Sequence, residues 1–326
     1  MRRLTAALLA PLAATAALAG CSSSGTTSAA DHTVKVTGPE GKAPTVHIPA
    51  QKPGSALVTK TLVNGHGPKL TAGDSYLANF DVFVWHGKTS KLLFSSWPSN
   101  QSPAPAPARV STPEVLPVTM GLTGLQKALT GERIGSRVLA VLPPKYGYGT
   151  QGNSQIGVKP TDTLVWVVDL LHAFGPNASA SGQNVSNGGG SLPTISAGPG
   201  GVPQISVPKT APPSKLVVKT LIKGTGAAVK AKQSIVVRYA GSIWRTGKLF
   251  NSNWPSASQP TLPPSVFTLG QLIPAWNTGL VGVPVGSRVM LVVPPAEGYG
   301  KTGNSQAGIK GTDTLVFVLD ILATAD

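Results

Sequence analysis

Apolar residues in this 326-residue chain come in short, dense runs. "SIVVRYAGSIW" (234–244), "SRVMLVVPP" (287–295) and "DTLVFVLDIL" (313–322) are rich in β-branched side chains, with glycine and proline between them. Runs of that kind bounded by turn-forming residues predict strands. Helical periodicity is scarce. Its best case is "IPAWNTGLVGV" (273–283), where Pro274 suits a first helical position, and its counterpart is "LTGLQKALTG" (122–131). "TVHIP" (45–49) and "ISVP" (205–208) predict a further short strand near the start of each half, each followed by "KTL". The pattern predicts an α+β fold with a mostly antiparallel sheet packed on one short helix in each half.

The halves are copies. "GYGTQGNSQIGVKPTDTLVWVVDLL" (147–171) returns as "GYGKTGNSQAGIKGTDTLVFVLDIL" (298–322), identical at 17 of 25 positions with an offset of 151. That period exceeds a solenoid repeat and matches a whole domain. Domains are therefore expected at 33–174 and 203–326. The stretch from Gly175 to Gly201 has Gly, Ser, Asn and Pro but almost no apolar side chains, so residues 175–202 read as a flexible linker and the first site of proteolysis.

The first 20 residues carry Arg2 and Arg3, then an apolar stretch from Leu4 to Leu18, then small residues, which is the build of an export signal. Leu18-Ala19-Gly20-Cys21 resembles a bacterial lipobox, in which the cysteine is lipidated and becomes the first mature residue. A Ser/Thr/Ala tether over 21–32 follows, and no second run is long enough to span a bilayer. The expectation is a lipid-anchored protein on the outer face of the cell membrane. Cys21 is the sole cysteine, which excludes an internal disulfide. Formal charge is +15, or +13 without the two leader arginines, a balance that suits either anionic head groups and acidic wall polymers or plain solubility. No dense Lys/Arg run marks a nucleic-acid binder.

Several ordered motifs carry a family resemblance. Tyr239-Ala240-Gly241, "GKLFNSNW", Phe267, "LIPAW", "VGSRVMLVVPPAEGYG" and "TLVFVLDIL" together resemble the FKBP-type peptidyl-prolyl isomerase domain. The resemblance covers about 203–326 and, more weakly, 33–174. It implies a shallow apolar pocket between sheet and helix, a proline-containing polypeptide as substrate, and no cofactor. It places Tyr239, Phe250, Asn251, Trp276, Tyr299 and Phe317 in the catalytic pocket, with Trp276 as floor, and Phe267, Ile273 and Ile309 against the substrate. The Tyr299 hydroxyl and the Ile309 N–H would hold peptide carbonyls. Asn251 departs from the family, which usually has aspartate there. The segment between Gly270 and Trp276 is also short.

The first copy departs further. Its counterparts are expected at Phe80, Phe94, Leu125, Tyr148, Val158 and Trp166, so the floor and one hydroxyl are gone. The five histidines fall singly in unlike contexts, so no metal site is expected. "GNSQAG" misses the spacing of a nucleophile elbow and reads as a turn. Two functions remain open: an exported prolyl isomerase acting mainly through the second domain, and a non-catalytic chaperone or adaptor that only holds proline-containing segments.

Overall fold

The computed structural model describes residues 34–97, 114–119, 121–198, 201–256, 259–260 and 262–325. The leader, the tether and Cys21 lie outside them.

The first half begins with a hairpin of β1 (Lys35–Thr37) and β2 (Thr45–His47). There follow β3 (Val58–Val63), β4 (Ser75–His86), β5 (Thr89–Ser95), β6 (Glu114–Pro117), α1 (Thr123–Leu129), β7 (Arg137–Leu142) and β8 (Thr163–Phe174). Their sheet runs β3-β7-β8-β4-β5, with β6 also on β4, and every pairing is antiparallel.

The second half repeats this plan. It contains β9 (Gln183–Asn184), β10 (Thr194–Ala197), β11 (Pro203–Ser206), β12 (Val217–Lys223), β13 (Ser234–Ile243), β14 (Leu249–Ser252), β15 (Ser265–Thr268), α2 (Pro274–Gly279), β16 (Arg288–Val293) and β17 (Leu315–Ala325). Here β10 and β11 form the hairpin, and the sheet runs β14-β13-β17-β16-β12-β9 with β15 on β13. Each half is mostly sheet with one short helix.

Strand alternation explains why the central strands read as continuous apolar runs. On β17, Leu315, Phe317, Leu319 and Ile321 face α2, while Val316 and Val318 face the opposite side. On β16, Val289, Leu291 and Val293 face the helix, while Met290 and Val292 do not. That second side is covered by Leu192, Ile195, Ile205 and Val207 of the β10–β11 region. The first half does the same with Val34, Val36, Val46 and Ile48 over Leu139, Val141, Val165 and Val167. A sheet buried on both faces has no polar side to alternate with. Each hairpin is followed by a strap tied at an equivalent indole: Trp85 Nε1 donates to Gln51 O (2.8 Å) and Trp244 Nε1 to Thr210 O (3.1 Å).

The 175–202 segment corrects the linker expectation. Ala180 N donates to Asp320 Oδ2 (2.7 Å), Ser181 N to Gly286 O (3.0 Å), and Arg238 Nη2 to Pro176 O (3.3 Å). β9 extends the sheet along β12, and Ile195 is buried. Backbone groups of this polar stretch are satisfied by the second domain, so few apolar side chains suffice to fix it. The halves also touch: Leu77 and Phe174 of the first pack in one apolar cluster with Val236, Ala323 and Ala325 of the second.

Two local features carry expected outcomes. Lys232 has φ 62°, the left-handed region. Left-handed backbone costs a residue with a Cβ about 1–2 kcal/mol. Lys232→Gly is therefore expected to raise stability by about 1 kcal/mol after the added freedom of the unfolded chain is subtracted, read as a higher midpoint in urea.

Asp81 on β4 is 5% exposed, its Oδ1 has no partner, and its counterpart on β13 is Ala240. Burial pushes its carboxyl up to about 6; a bond from Ser95 opposes this, Asp169 adds to it, and Arg137 opposes it. The folded value lies above that of an unfolded aspartate, about 3.9. Its contribution to stability is thus full below about pH 4 and lost as pH rises through 6. Asp81→Asn should leave stability unchanged near pH 4 and raise it by roughly 1–3 kcal/mol at pH 8, as measured by chemical denaturation at both pH values.

Candidate functional site

In the second domain, α2 starts at Pro274 after Ile273, whose extended backbone forms the N-cap. This turn drives Trp276 down toward the sheet, leaving it 4% exposed. Three aromatic rings meet it edge-on: Phe267 at 5.4 Å, Phe317 at 5.5 Å and Tyr239 at 5.6 Å between centroids. Phe250 stands edge-on to Phe317 at 5.6 Å. Edge-to-face packing is the favoured arrangement of such rings and fixes their orientation. The result is a cleft of about 220 Å³ lined by these five aromatics with Asn251, Leu272, Ile273, Tyr299, Asn304, Ala307. None of the lining side chains is charged at neutral pH.

The phenol and the amides set the polar geometry. The Tyr239 hydroxyl donates to Asn251 Oδ1. Burial, with Tyr299 adding to it, holds the Tyr239 hydroxyl above its ordinary pKa, so it keeps its proton. Because Asn251 Oδ1 accepts from the phenol, its Nδ2 is the side that remains for another partner. Asn304 is arranged likewise: its Oδ1 accepts from Ala307 N (3.2 Å) at the start of a 3₁₀ turn over Ser305–Ala307. Tyr299 is 37% exposed at the mouth.

Glycine at 241 makes room for one wall. A Cβ there would stand 2.6 Å from Phe250 Cζ and 3.0 Å from Phe317 Cε1, too close for any real side chain.

Most of the expected site residues converge, and two expectations need correction. Ile309 does not offer its N–H: that group donates to Asn304 O (2.9 Å), and the side chain is 3% exposed within the core. Among the described hydrogen bonds none uses the Ile273 N–H, and Ile273 lines the cleft. Leu272, Asn304 and Ala307 were not anticipated. Asn304 and Ala307 belong to the "GNSQAG" turn, which gave no chemical signal in the sequence yet forms the rim.

The second correction concerns the first copy. Val82 pairs with Phe94 as Gly241 pairs with Asn251, and each register has a bulge one step on. Ser96 Oγ accepts from Phe80 N as Asn253 Oδ1 accepts from Tyr239 N. Phe94 is therefore the counterpart of Asn251, and Leu93 that of Phe250. The register also sets Leu116 opposite Tyr76 as Phe267 is opposite Ile235. Where the second domain has Gly241 beneath a phenyl ring, the first has Val82 beside Leu93. Leu125 stands in place of Trp276, and Phe80 touches Trp166 at 5.5 Å. Tyr148 and Val158 belong to the same apolar cluster. Val82, Leu93 and Leu125 thus stand where the second domain has a glycine, a phenyl ring and an indole.

Among the described residues no three His, Cys, Asp or Glu side chains come together as metal ligands. None of their helices is long and apolar enough to cross a membrane.

An antiparallel sheet closed on a short helix, with an uncharged aromatic cleft between them, defines the class as prolyl isomerase-like. The sequence matches the family described as FKBP-type peptidyl-prolyl cis-trans isomerase over residues 104–171 and 226–322, and the chain belongs to that family of enzymes. It is 34% identical over 118 residues to an FK506-binding protein of Streptomyces anulatus, covering 36% of this chain and 91% of that one. It is 35% identical over 111 residues to a probable FK506-binding protein of Corynebacterium glutamicum, covering 34% and 88%. Among solved structures, the three FKBP domains of wheat FKBP73 align over 82% of this chain and 94% of that chain at 17% identity, with a TM-score of 0.32.

Proposed function

We propose that the second domain carries the isomerase activity, that the first contributes little, and that the protein acts on X-Pro bonds of exported or envelope proteins. The observation that carries this reading is the Trp276 floor with its aromatic walls, which has no equivalent around Leu125.

The chemistry needs no nucleophile. Amide resonance sets a rotation barrier of about 18–20 kcal/mol. In the twisted transition state that resonance is lost, and the amide is less zwitterionic than when planar. A cleft with aromatic walls and no charged group offers the planar dipole little solvation, and so favours the twisted form relative to it. The proline ring would rest on the Trp276 indole. The Ile273 N–H and the Tyr299 hydroxyl would accept the task of holding the flanking carbonyls, and the Asn251 amide would stand beside them. A carboxylate is dispensable for orienting Tyr239, because Asn251 supplies the same acceptor.

The reading is tested with the full chain and a blocked X-Pro tetrapeptide, following cis–trans exchange by NMR. Catalysed exchange is the expected result; binding without catalysis would leave a holding function instead. Asn251→Ala removes one hydrogen bond worth about 0.5–1.5 kcal/mol, so kcat/KM should fall by roughly three- to tenfold.

The export reading rests on the leader and on Cys21. Cys21→Ala should move the protein from the membrane fraction to the soluble one; retention would overturn the lipid anchor.

A further inference from the structure

The proline cleft does not end at Asn251. On the far side of Phe250 and Asn251 lies a second depression of about 410 Å³, which shares those two residues and adds Val202, Leu249, Trp254 and Pro255. β14 forms its base and is the outermost strand of the sheet, with β13 on one side and no strand on the other among the described residues. Asn253 N donates to Tyr239 O across the β13–β14 ladder. The alternation of an antiparallel pair then turns the backbone N–H and C=O of Ser252 outward, toward the open side. Leu249 is 47% exposed there, one of five large apolar side chains so exposed among the described residues. A second of the five is Tyr299, at the mouth of the proline cleft. Apolar surface, an unpaired strand edge and direct continuity with the cleft coincide at this place.

We infer that β14 is a subsite for the extended part of the same polypeptide, which adds to the sheet edge while its proline occupies the cleft. This rests on the proline cleft assigned above. An edge strand recognises an extended chain through main-chain hydrogen bonds, with alternate side chains entering flanking depressions. Leu249 and Val202 fit an apolar side chain of the substrate a few residues from the proline. The Asn251 Nδ2, left over by the Tyr239 bond, lies at the junction of the two depressions. The subsite contributes binding and touches no reacting atom.

The experiment compares two blocked peptides on the full-length protein by NMR exchange: Ala-Leu-Pro-Phe, and the ten-residue Thr-Val-Thr-Ala-Leu-Pro-Phe-Thr-Val-Thr. The longer peptide should show kcat/KM about tenfold higher, the equivalent of 1.4 kcal/mol of added binding, with the gain in KM. Leu249→Lys, and separately Val202→Lys, should erase that gain and leave the short peptide unchanged. Equal kcat/KM for the two peptides in the unaltered protein would overturn the subsite, as would a Leu249→Lys variant that slows both by the same factor. If neither peptide is turned over or bound, the proline cleft itself is misassigned and the subsite falls with it.

Discussion

Replacing Trp276 by leucine, the residue of the first copy, is expected to lower kcat/KM on an X-Pro tetrapeptide by one to two orders of magnitude. The indole does two jobs. In the proposed site it supplies the flat floor, and it is the ring against which Tyr239, Phe267 and Phe317 are all set edge-on. An aromatic contact of this kind is worth about 0.5–1.5 kcal/mol beyond its buried area. Losing the floor contact in the transition state and loosening the walls together amounts to about 1.4–2.8 kcal/mol, and each 1.36 kcal/mol is tenfold in rate. The same substitution also leaves a cavity in the core, which for large-to-small changes costs about 2–5 kcal/mol of stability. Activity is therefore to be read well below the unfolding midpoint of the variant, with its circular dichroism checked alongside. An unchanged kcat/KM would show that the proline ring sits elsewhere.

The second large effect concerns where the domain begins. A fragment starting at residue 203 keeps β11 but loses β9, β10 and every bond from the 176–186 stretch. Leu192 and Ile195 no longer cover Met290, Val292, Val316 and Val318, which are completely buried in the intact chain. Each large apolar side chain returned to water costs about 1.5–3 kcal/mol, so two lost covers and partial exposure beneath them sum to about 4 kcal/mol or more. That is a large share of the 5–15 kcal/mol typical of a whole domain. Asp320 also loses the Ala180 N–H, although Arg288 still holds it in a bidentate pair at 2.6 and 2.8 Å. A fragment beginning at 176 should unfold cooperatively at a midpoint roughly 15 °C above that of one beginning at 203, taking about 4 °C per kcal/mol for this size. Equal midpoints would mean that the segment is an ornament.

These two cases show what the sequence made legible. Dense β-branched runs marked every central strand, and the 151-residue offset marked the duplication. Six aromatics in an ordered pattern located most of the cleft, because all but Tyr299 sit on a strand or helix whose period fixes their direction. The second cover of the sheet was harder to see. "VMLVV" already lacked a polar face, which signals burial on both sides, but nothing local says what lies on the other side. Residues 175–202 misled because their order comes from main-chain bonds, which composition does not report. The first copy's "LLFSSW" misled for another reason. Two leucines before the phenylalanine allow two alignments, and the strand register with the bonds of Ser96 and Asn253 to the facing strand chooses between them. Ile309 follows the same logic: an apolar residue near the rim looks available until its N–H is found paired with Asn304.

The first copy then reads as a domain that kept the frame and altered the pocket. Val82, Leu93 and Leu125 replace a glycine, a phenyl ring and an indole at register-matched positions. These changes fit together, since the Val82 side chain occupies space that a ring at 93 would need. The apolar cluster of Leu77 and Phe174 with Val236, Ala323 and Ala325 couples the two halves, so the first domain contributes surface and support to its neighbour.

The most direct test of this division uses the full-length chain and two variants. One carries Trp276→Leu with Tyr239→Phe in the second domain; the other carries Leu125→Ala with Tyr148→Phe in the first. On one X-Pro tetrapeptide, the first variant should lose at least tenfold in kcat/KM, while the second stays within about twofold of the unaltered protein. Equal losses in the two variants, or a greater loss in the second, would contradict the assignment of activity to the second domain.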